Sequence, residues 1–206
     1  MAEQPLHYQD DRVDITRVVV GPMDNNVYVV RCRRTGDSVL IDAANESDLL
    51  LDLCRALGVT KVLTTHGHQD HIQAVPAVRT AGYQVGIAAG DSHMLVGAHD
   101  FVIGDDEAIA VGDLVVQTIH TPGHTPGSTC FVIDGSPVLL SGDTLFPGGP
   151  GATHRPGGHF PTIIRSIDDR LFARLPDDTV VLPGHGDDTT IGAERPHLQE
   201  WADRGW

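Results

Sequence analysis

The stretch KVLTTHGHQDH, residues 61–71, places three imidazoles and one carboxylate within six residues, directly after an apolar run. That run is rich in aliphatic and β-branched residues, which is typical of a buried strand. Side chains on an extended chain repeat every two residues, so His66 and His68 point to the same side. Imidazole and carboxylate groups are common ligands of zinc, iron and manganese. The stretch therefore predicts a metal site just beyond a strand end, with Asp70 and His71 facing a neighbouring site.

Three later motifs also follow apolar runs. His124 stands between two Pro-Gly pairs in HTPGHTPG, residues 120–127, and these pairs predict a rigid turn that presents its ring. Asp143 follows one short aliphatic run in SGDT, and His185 follows another in PGHG. His120 itself is interpreted as the end of a strand.

Together the motifs supply seven candidate metal ligands: His66, His68, Asp70, His71, His124, Asp143 and His185. Seven is the number that two metals need when they share one carboxylate and a bridging solvent completes each coordination shell. The two carboxylates, Asp70 and Asp143, are also the candidate catalytic residues.

Short predicted strands alternate with helices along the chain, which indicates an α/β or α+β fold. The spacing of leucines predicts a helix over 46–57, capped by Asn45 and ended by Gly58. Residues 60–67 echo residues 179–186 at Thr, Val, Leu, His and Gly. This echo is consistent with two halves that repeat one strand pattern, each delivering a histidine beyond a strand end.

The composition bounds the class of protein. The 206 residues are 40% apolar, and 28 acidic against 14 basic residues give a formal net charge of −14, which disfavours nucleic acid as a partner. No apolar run approaches a membrane span, and the first residues do not resemble a secretory signal. Three widely spaced cysteines are typical of a reducing compartment. We expect a cytoplasmic protein with a small-molecule substrate; the sequence is silent on oligomeric state.

The motifs T-H-x-H-x-D-H, T-P-G-H-T-P-G, S-G-D-T-L-F and P-G-H-G, in this order across residues 65–186, resemble the metallo-β-lactamase superfamily. Within it, the chain is most similar to the glyoxalase II-like hydrolases, and residues 25–42 resemble the first strands of the family. The resemblance implies an αββα four-layer sandwich in which two pseudo-repeated halves pack sheet against sheet. It implies metals at one edge of that sandwich.

The resemblance also implies two divalent cations, with zinc preferred and iron or manganese as alternatives. Their ligands form two sets and one shared residue: His66, His68 and His124 for the first cation, Asp70, His71 and His185 for the second, and Asp143 between them. Asp42 resembles a family carboxylate that orients a ligand histidine from behind.

The activity that follows from the resemblance is hydrolysis of a thioester by a hydroxide that bridges two metals. S-lactoylglutathione, another acyl thiol, or a related ester or lactone are the candidate substrates. Glyoxalase II carries a further C-terminal domain that binds glutathione, whereas only 21 residues follow His185 here. We therefore expect one domain over 1–206, without a separate substrate-binding domain.

Two alternatives remain at the level of sequence. Persulfide dioxygenases share the scaffold but hold one iron through the equivalents of His66, His124 and Asp143. Their G-R-T-D stretch reads GATH here, at residues 151–154, which disfavours them. The other alternative is a metal-binding module without catalytic activity.

The glycine-rich segment 147–160 is interpreted as a functional loop near the mouth of the site. Its candidate substrate contacts are His154, Arg155 and His159.

Overall fold

The computed structural model describes residues 6–205. Its strands are β1 (Leu6–Gln9), β2 (Val13–Val20), β3 (Asn25–Cys32), β4 (Ser38–Ile41), β5 (Val59–Leu63), β6 (Gln84–Ala88), β7 (Phe101–Ile103), β8 (Ala108–Val111), β9 (Leu114–His120), β10 (Thr129–Ile133), β11 (Val138–Gly142), β12 (Leu145–Phe146), β13 (Gly149–Pro150), β14 (Val180–Pro183) and β15 (Thr189–Thr190). Its α-helices are α1 (Ser47–Leu57), α2 (Gln69–Ile72), α3 (Val75–Thr80), α4 (Phe160–Ser166), α5 (Ile191–Glu194) and α6 (Leu198–Arg204). Two 3-10 turns (Ser92–Met94, Arg195–His197) and a π-helical segment (Ile167–Phe172) complete these elements.

The strands form two large sheets. The first has the order β1-β2-β3-β4-β5-β6-β7, and the second has the order β15-β14-β11-β10-β9-β8. Strands β12 and β13 form a separate small hairpin. Within residues 6–205, no helix has both the length and the apolar character needed to cross a lipid bilayer.

Successive side chains of the central strands point to opposite faces of the sheet, and apolar residues pack against both faces. On β3, Val27 and Val29 join an apolar cluster with α1 and α3, whereas Tyr28 and Val30 join a cluster shared with the second sheet. A third cluster joins the outer face of the second sheet to α4 and α6 and includes the fully buried Trp201. The layers therefore run helix, sheet, sheet, helix, which confirms the expected αββα sandwich.

The two sheets repeat one arrangement of four strands. In the first sheet β2, β3 and β4 are antiparallel neighbours, and β5 joins β4 in parallel. In the second sheet β9, β10 and β11 are antiparallel neighbours, and β14 joins β11 in parallel. The echoed sequences contain β5 and β14, which hold equivalent places. The expected pair of pseudo-repeated halves is confirmed.

The start of α1 differs from the prediction. Its N-cap residue is Glu46, in the left-handed region at φ 49°, and no side chain caps the helix. The Asn45 side chain instead accepts a hydrogen bond from the Glu46 amide and donates one to Gln73 beyond α2. The predicted end at Gly58 is confirmed, since Gly58 has φ 70° and its amide bonds back to the last turn.

Strands β1, β7 and β8 were not predicted from the sequence. Each has three or four residues and lies at the edge of a sheet. Such short edge strands show little alternation of apolar and polar residues in the sequence. Their conformation depends on hydrogen bonding to one neighbouring strand rather than on a buried face.

Phe131 offers a test of the packing between the sheets. It lies on β10, is fully buried, and belongs to the cluster shared by both sheets. We expect Phe131→Ala to lower the free energy of unfolding by about 3–5 kcal/mol, because it leaves a cavity between rigid sheets. Val132→Ala, at a half-buried position on the outer face, serves as the control and should cost about 1 kcal/mol. Urea unfolding of both variants measures this, and equal losses would contradict the packing described.

Candidate metal centre

The candidate site lies where the carboxyl ends of two pairs of parallel strands meet. Strands β4 and β5 lead to Asp42 and His66, and strands β11 and β14 lead to Asp143 and His185. In α/β structures, this end of parallel strands is the usual place for a ligand site. Backbone hydrogen bonds join the halves here, because the Thr129 amide donates to the Thr65 carbonyl and the Asn26 amide donates to the Gly184 carbonyl. The two halves are thus fixed to each other beside the site.

The first group of candidate ligands consists of His66, His68 and His124. The Nε2 atom of His124 lies 3.2 Å from Nε2 of His66 and 2.8 Å from Nδ1 of His68. All three side chains are buried. As predicted from the two-residue repeat of an extended chain, His66 and His68 direct their rings to the same point. The extended segment ends there, because α2 begins at the next residue.

The second group consists of Asp70, His71 and His185. The Nε2 atoms of His71 and His185 lie 3.1 Å apart. The Oδ2 atom of Asp70 lies 3.4 Å from the former and 3.3 Å from the latter. Asp70 and His71 reach this second point because α2 begins at Gln69 and turns them away from the first group.

Asp143 lies between the two groups. Its Oδ2 atom is 3.6 Å from Nε2 of His124 and 3.6 Å from Nε2 of His185, and its Oδ1 atom is 3.4 Å from Nε2 of His71. A Cβ on Gly184 would collide with Oδ1 of Asp143, so only glycine permits this approach. All seven candidate ligands from the sequence therefore meet in one cluster.

Hydrogen bonds on the far side of each ring fix its tautomer. His71 donates from Nδ1 to Asp42 at 2.8 Å, His124 to the Ala152 carbonyl at 2.7 Å, and His185 to the Met23 carbonyl at 2.9 Å. Carboxylates and carbonyls only accept, so each Nδ1 carries the proton and each Nε2 presents a lone pair to the cluster.

Asp42 also acts on His66, through Thr65. The Thr65 hydroxyl donates to Asp42 at 2.8 Å and lies 3.1 Å from Nδ1 of His66, so the ring donates to the hydroxyl oxygen. The Thr65 amide donates to Asp42 as well, at 2.7 Å. Asp42 has φ 63°, an uncommon conformation for a residue with a side chain, and is buried. The expected orienting carboxylate thus contacts one histidine directly and a second through a hydroxyl.

The donor set fits metal cations. The Nε2 lone pairs of His66 and His124 face each other across 3.2 Å, and those of His71 and His185 across 3.1 Å. Facing lone pairs repel unless a cation or a proton lies between them. Two ligands of one tetrahedral ion with bonds of about 2.0–2.1 Å lie roughly 3.3 Å apart, close to these separations. The buried Oδ1 of Asp143 has no hydrogen-bond partner among residues 6–205, as expected of a metal ligand.

The pKa values of the histidines differ between the two groups, because burial and carboxylates act on them to different extents. Burial and the neighbouring rings of His71 and His124 lower the pKa of His66 well below its ordinary value. Burial and His124 lower the pKa of His68 to about 4. Burial also acts to lower the pKa of His71, but Asp143 and Asp42 outweigh it and raise that pKa well above normal. The rings of the first group are therefore neutral at pH 7, and the carboxylates around His71 favour a positive charge there, which a bound metal cation would supply in place of a second ring proton.

A second buried carboxylate, Asp91, was not identified from the sequence. Its Oδ2 accepts hydrogen bonds from the Gly67 amide at 2.8 Å and the Thr125 hydroxyl at 2.6 Å, and its Oδ1 accepts from the Gly127 amide at 2.7 Å. Asp91 thereby joins the segment that carries His66 and His68 to the turn that carries His124. Its sequence context, Gly-Asp-Ser, is that of an ordinary turn and gives no signal of this role.

A cavity of about 220 Å³ opens over the cluster. Five of the seven candidate ligands line it, together with Met23, Phe146, His154 and Arg155. Two of the three expected substrate contacts therefore face this cavity. The third, His159, is exposed at the start of α4, where its Nδ1 lies 2.8 Å from the Thr162 hydroxyl, and it is not among the lining residues. A more open cavity beside Lys61 contains none of the candidate ligands.

The fold and the site define a class of protein. The family model described as the metallo-beta-lactamase superfamily matches residues 20–185, and the chain belongs to this superfamily. It is accordingly a hydrolase-like enzyme with residues suited to divalent metals.

Two relatives within this superfamily are similar to most of the chain. The chain is 32% identical over 200 residues to the probable metallo-hydrolase YqgX of Bacillus subtilis, covering 87% of this chain and 93% of that protein. It is 35% identical over 176 residues to a hydroxyacylglutathione hydrolase of Rhodospirillum rubrum. That match covers 84% of this chain but only 66% of the hydrolase, so part of the hydrolase has no counterpart here.

Solved structures show the same fold. The B3 metallo-beta-lactamase BLEG-1 gives a TM-score of 0.82 at 29% identity, with 89% of this chain and 97% of that chain covered. ETHE1 from Myxococcus xanthus gives 0.80 at 28% identity, with 92% and 84% covered. TTHA1623 in a di-iron-bound form gives 0.74 at 30% identity, with 87% and 96% covered.

The role of Asp42 can be tested by Asp42→Asn. The amide cannot accept from all three of its donors, so the His71 and His66 rings lose their fixed orientation, and we expect metal affinity to fall about 10–100-fold. Competition with a chromogenic chelator measures the affinity. Asp52→Asn removes the same charge at an exposed position of α1 and should leave the affinity unchanged. Equal affinities of the two variants would contradict the role given to Asp42.

The role of Asp91 can be tested by Asp91→Asn. The amide turns a donor toward one of two buried amides, so we expect a loss of about 1–3 kcal/mol in the free energy of unfolding of the metal-free protein. We also expect weaker metal binding, because two ligand segments lose their shared anchor. Asp113→Asn, at an exposed surface pair, is the matched control. Metal affinity like that of this control would show that Asp91 stabilises the fold without positioning the ligands.

Proposed function

We propose that the protein is a dinuclear metallo-hydrolase that cleaves thioesters. The observation that carries the proposal is the position of Asp143, whose Oδ2 is 3.6 Å from a histidine of each group. A carboxylate equidistant from two sets of donors suits two cations that share it. A closed structural site would need only one set of four ligands.

In this proposal, His66, His68 and His124 would hold one cation, Asp70, His71 and His185 would hold the other, and Asp143 would be a ligand of both. When bound, the two cations would lower the pKa of a water molecule and supply positive charge to the substrate carbonyl oxygen. Zinc is the cation we propose first, with iron or manganese as alternatives, because imidazole and carboxylate donors accept all three.

The reaction adds water to the thioester carbonyl carbon and breaks the carbon–sulfur bond, giving a carboxylic acid and a thiol. Asp70 is the residue proposed to accept a proton from the water. It lines the cavity and its Oδ2 accepts a hydrogen bond from Asn25 at 3.0 Å, which holds the carboxylate in place. Burial raises the pKa of Asp70, but His185 and His71 outweigh this effect and hold it well below normal, so the carboxylate is ionised at neutral pH.

The substrate class is supported by the hydroxyacylglutathione hydrolase relative, at 35% identity. Because the chain spans only 66% of that protein, we propose the thioester bond as the common feature and leave the thiol carrier unspecified. A small-molecule substrate suits a cavity of about 220 Å³ whose wall includes Met23 and Phe146 as apolar surfaces. His154 and Arg155 are proposed to contact that substrate, and His159 is proposed only as an outer contact on the same loop.

Residues 1–206 are proposed to form one domain without nucleic-acid or membrane partners, in the cytoplasm. The acidic composition supports the absence of a nucleic-acid partner, since a net charge of −14 repels polyanions.

A second candidate is a persulfide dioxygenase with one iron held by His66, His124 and Asp143. The similarity to ETHE1 at a TM-score of 0.80 is the observation that keeps it as an alternative. It would need only one cation and would consume oxygen.

The proposal is tested by metal content and turnover on the same purified protein. We expect two cations per chain and hydrolysis of S-lactoylglutathione or a simple acyl thioester, without oxygen uptake on glutathione persulfide. A chromogenic cephalosporin belongs in the panel because BLEG-1 is a metallo-beta-lactamase. Asp143→Ala should lower kcat more than about 100-fold and reduce the metal content, because it removes a shared ligand.

Asp134→Ala, at an exposed position, is the matched control and should behave as the parent. One iron per chain with oxygen consumption would overturn the proposal in favour of the dioxygenase. Turnover of the cephalosporin alone would leave a hydrolase but overturn the thioester.

A further inference from the structure

Arg155 has an unusual position for an arginine of this protein. It lines the cavity beside the candidate ligands, and it is the one lysine or arginine that does so within residues 6–205. It is exposed, and its guanidinium makes no hydrogen bond or ion pair within the described part of the chain. An unpaired guanidinium next to a reaction site has five donors available to a substrate.

Most other arginines in the chain do pair with carboxylates. Nine of the thirteen lie within 4.0 Å of an aspartate or glutamate oxygen: Arg17, Arg33, Arg34, Arg55, Arg79, Arg170, Arg174, Arg195 and Arg204. With twice as many acidic as basic residues, a surface arginine here finds an acid easily. Among residues 6–205 the guanidinium of Arg155 has no such partner, although Asp70 and Asp143 line the same cavity.

Those two carboxylates face the histidines. Asp70 lies 3.3 Å from His185, and Asp143 lies 3.6 Å from His124. As proposed metal ligands they would be neutralised, which leaves the positive charge of Arg155 without an internal partner.

The backbone holds Arg155 in a defined place. The Arg155 carbonyl accepts from the Gly158 amide at 2.9 Å, which closes a turn. On one side of the turn the Ala152 carbonyl accepts from His124 at 2.7 Å, and on the other the His159 amide donates to the Gly123 carbonyl at 2.7 Å. Both ends of the segment are thus fixed to the turn that carries a candidate ligand.

From these observations we infer that Arg155 binds an anionic group of the substrate, so that the preferred substrates are thioesters bearing a carboxylate or phosphate near the scissile bond. The inference rests on the proposed thioesterase function and specifies its substrate class. The anion lies either on the acyl group or on the thiol carrier. Arg155 is a specificity residue in this account, because the bond broken does not involve it.

Three synthetic thioesters separate these cases. S-acetyl-N-acetylcysteamine is neutral, S-acetyl-N-acetylcysteine carries a carboxylate on the thiol side, and S-succinyl-N-acetylcysteamine carries one on the acyl side. We expect the parent protein to prefer one anionic thioester over the neutral one. In Arg155→Ala, KM for that substrate should rise about tenfold with kcat nearly unchanged, while the neutral thioester is unaffected.

Two further variants exclude simpler explanations. Arg155→Lys keeps the charge and should retain most of the preference, which should weaken as salt is added. Arg165→Ala removes the same charge from an exposed position of α4 outside the cavity and should change neither KM. The inference is overturned if Arg155→Ala affects neutral and anionic thioesters equally, or if Arg165→Ala reproduces its effect.

A binding measurement keeps the inference separate from the proposed function. Thioether analogues, in which a methylene replaces the thioester carbonyl, bind without being cleaved and can be titrated by calorimetry. If no thioester is hydrolysed, the proposed function fails. The anion-binding role of Arg155 then still stands if an anionic analogue binds about tenfold more weakly to Arg155→Ala, and falls if the variant binds all analogues as the parent does.

Discussion

The hydrogen bonds that Asp42 accepts determine how the site is built. One carboxylate, buried at the end of β4, receives the Thr65 amide, the Thr65 hydroxyl and Nδ1 of His71. These bonds fix the proton on the outer nitrogen of His71 and, through the hydroxyl, on that of His66. Both rings must then turn their lone pairs inward, where they face other lone pairs. Cations would remove the cost of that arrangement, so an ordinary carboxylate behind the histidines makes the cluster suited to metal cations.

The packing of the two sheets brings together candidate ligands that Asp42 does not contact. Each half ends a pair of parallel strands at the same edge, β4 with β5 and β11 with β14, and each pair delivers one carboxylate and one histidine to that edge. Sheet-to-sheet packing brings the edges together, and the amide of Asn26 and the amide of Thr129 lock them with hydrogen bonds across the junction. Asp143 follows β11 in the second half of the chain. Its carboxylate lies close to His71 from the first half and to His124 and His185 from the second half, so it contacts both groups of ligands.

Much of this could be predicted from the sequence, for a physical reason. Imidazoles and carboxylates directly after apolar strands are costly to bury without a partner, so their clustering along the chain is itself a sign of a metal site. Isolated polar residues that support the ligand segments could not be predicted from the sequence. Asp91 lies in a turn-like context, and Asn25 in a run that otherwise predicts a strand, and only the folded chain shows that they hold the ligand segments. Asn45 illustrates the opposite error, because a good capping residue bonded across to Gln73 instead.

The central claim is that Asp143 is shared between two cations. Anomalous diffraction from crystals of the metal-loaded protein, recorded on both sides of the absorption edge of the metal, tests it most directly. We predict two anomalous peaks, one among His66, His68 and His124 and one among Asp70, His71 and His185, with the Asp143 carboxylate between them. A single peak at full occupancy, with the other group of side chains bonded only to one another, would contradict it.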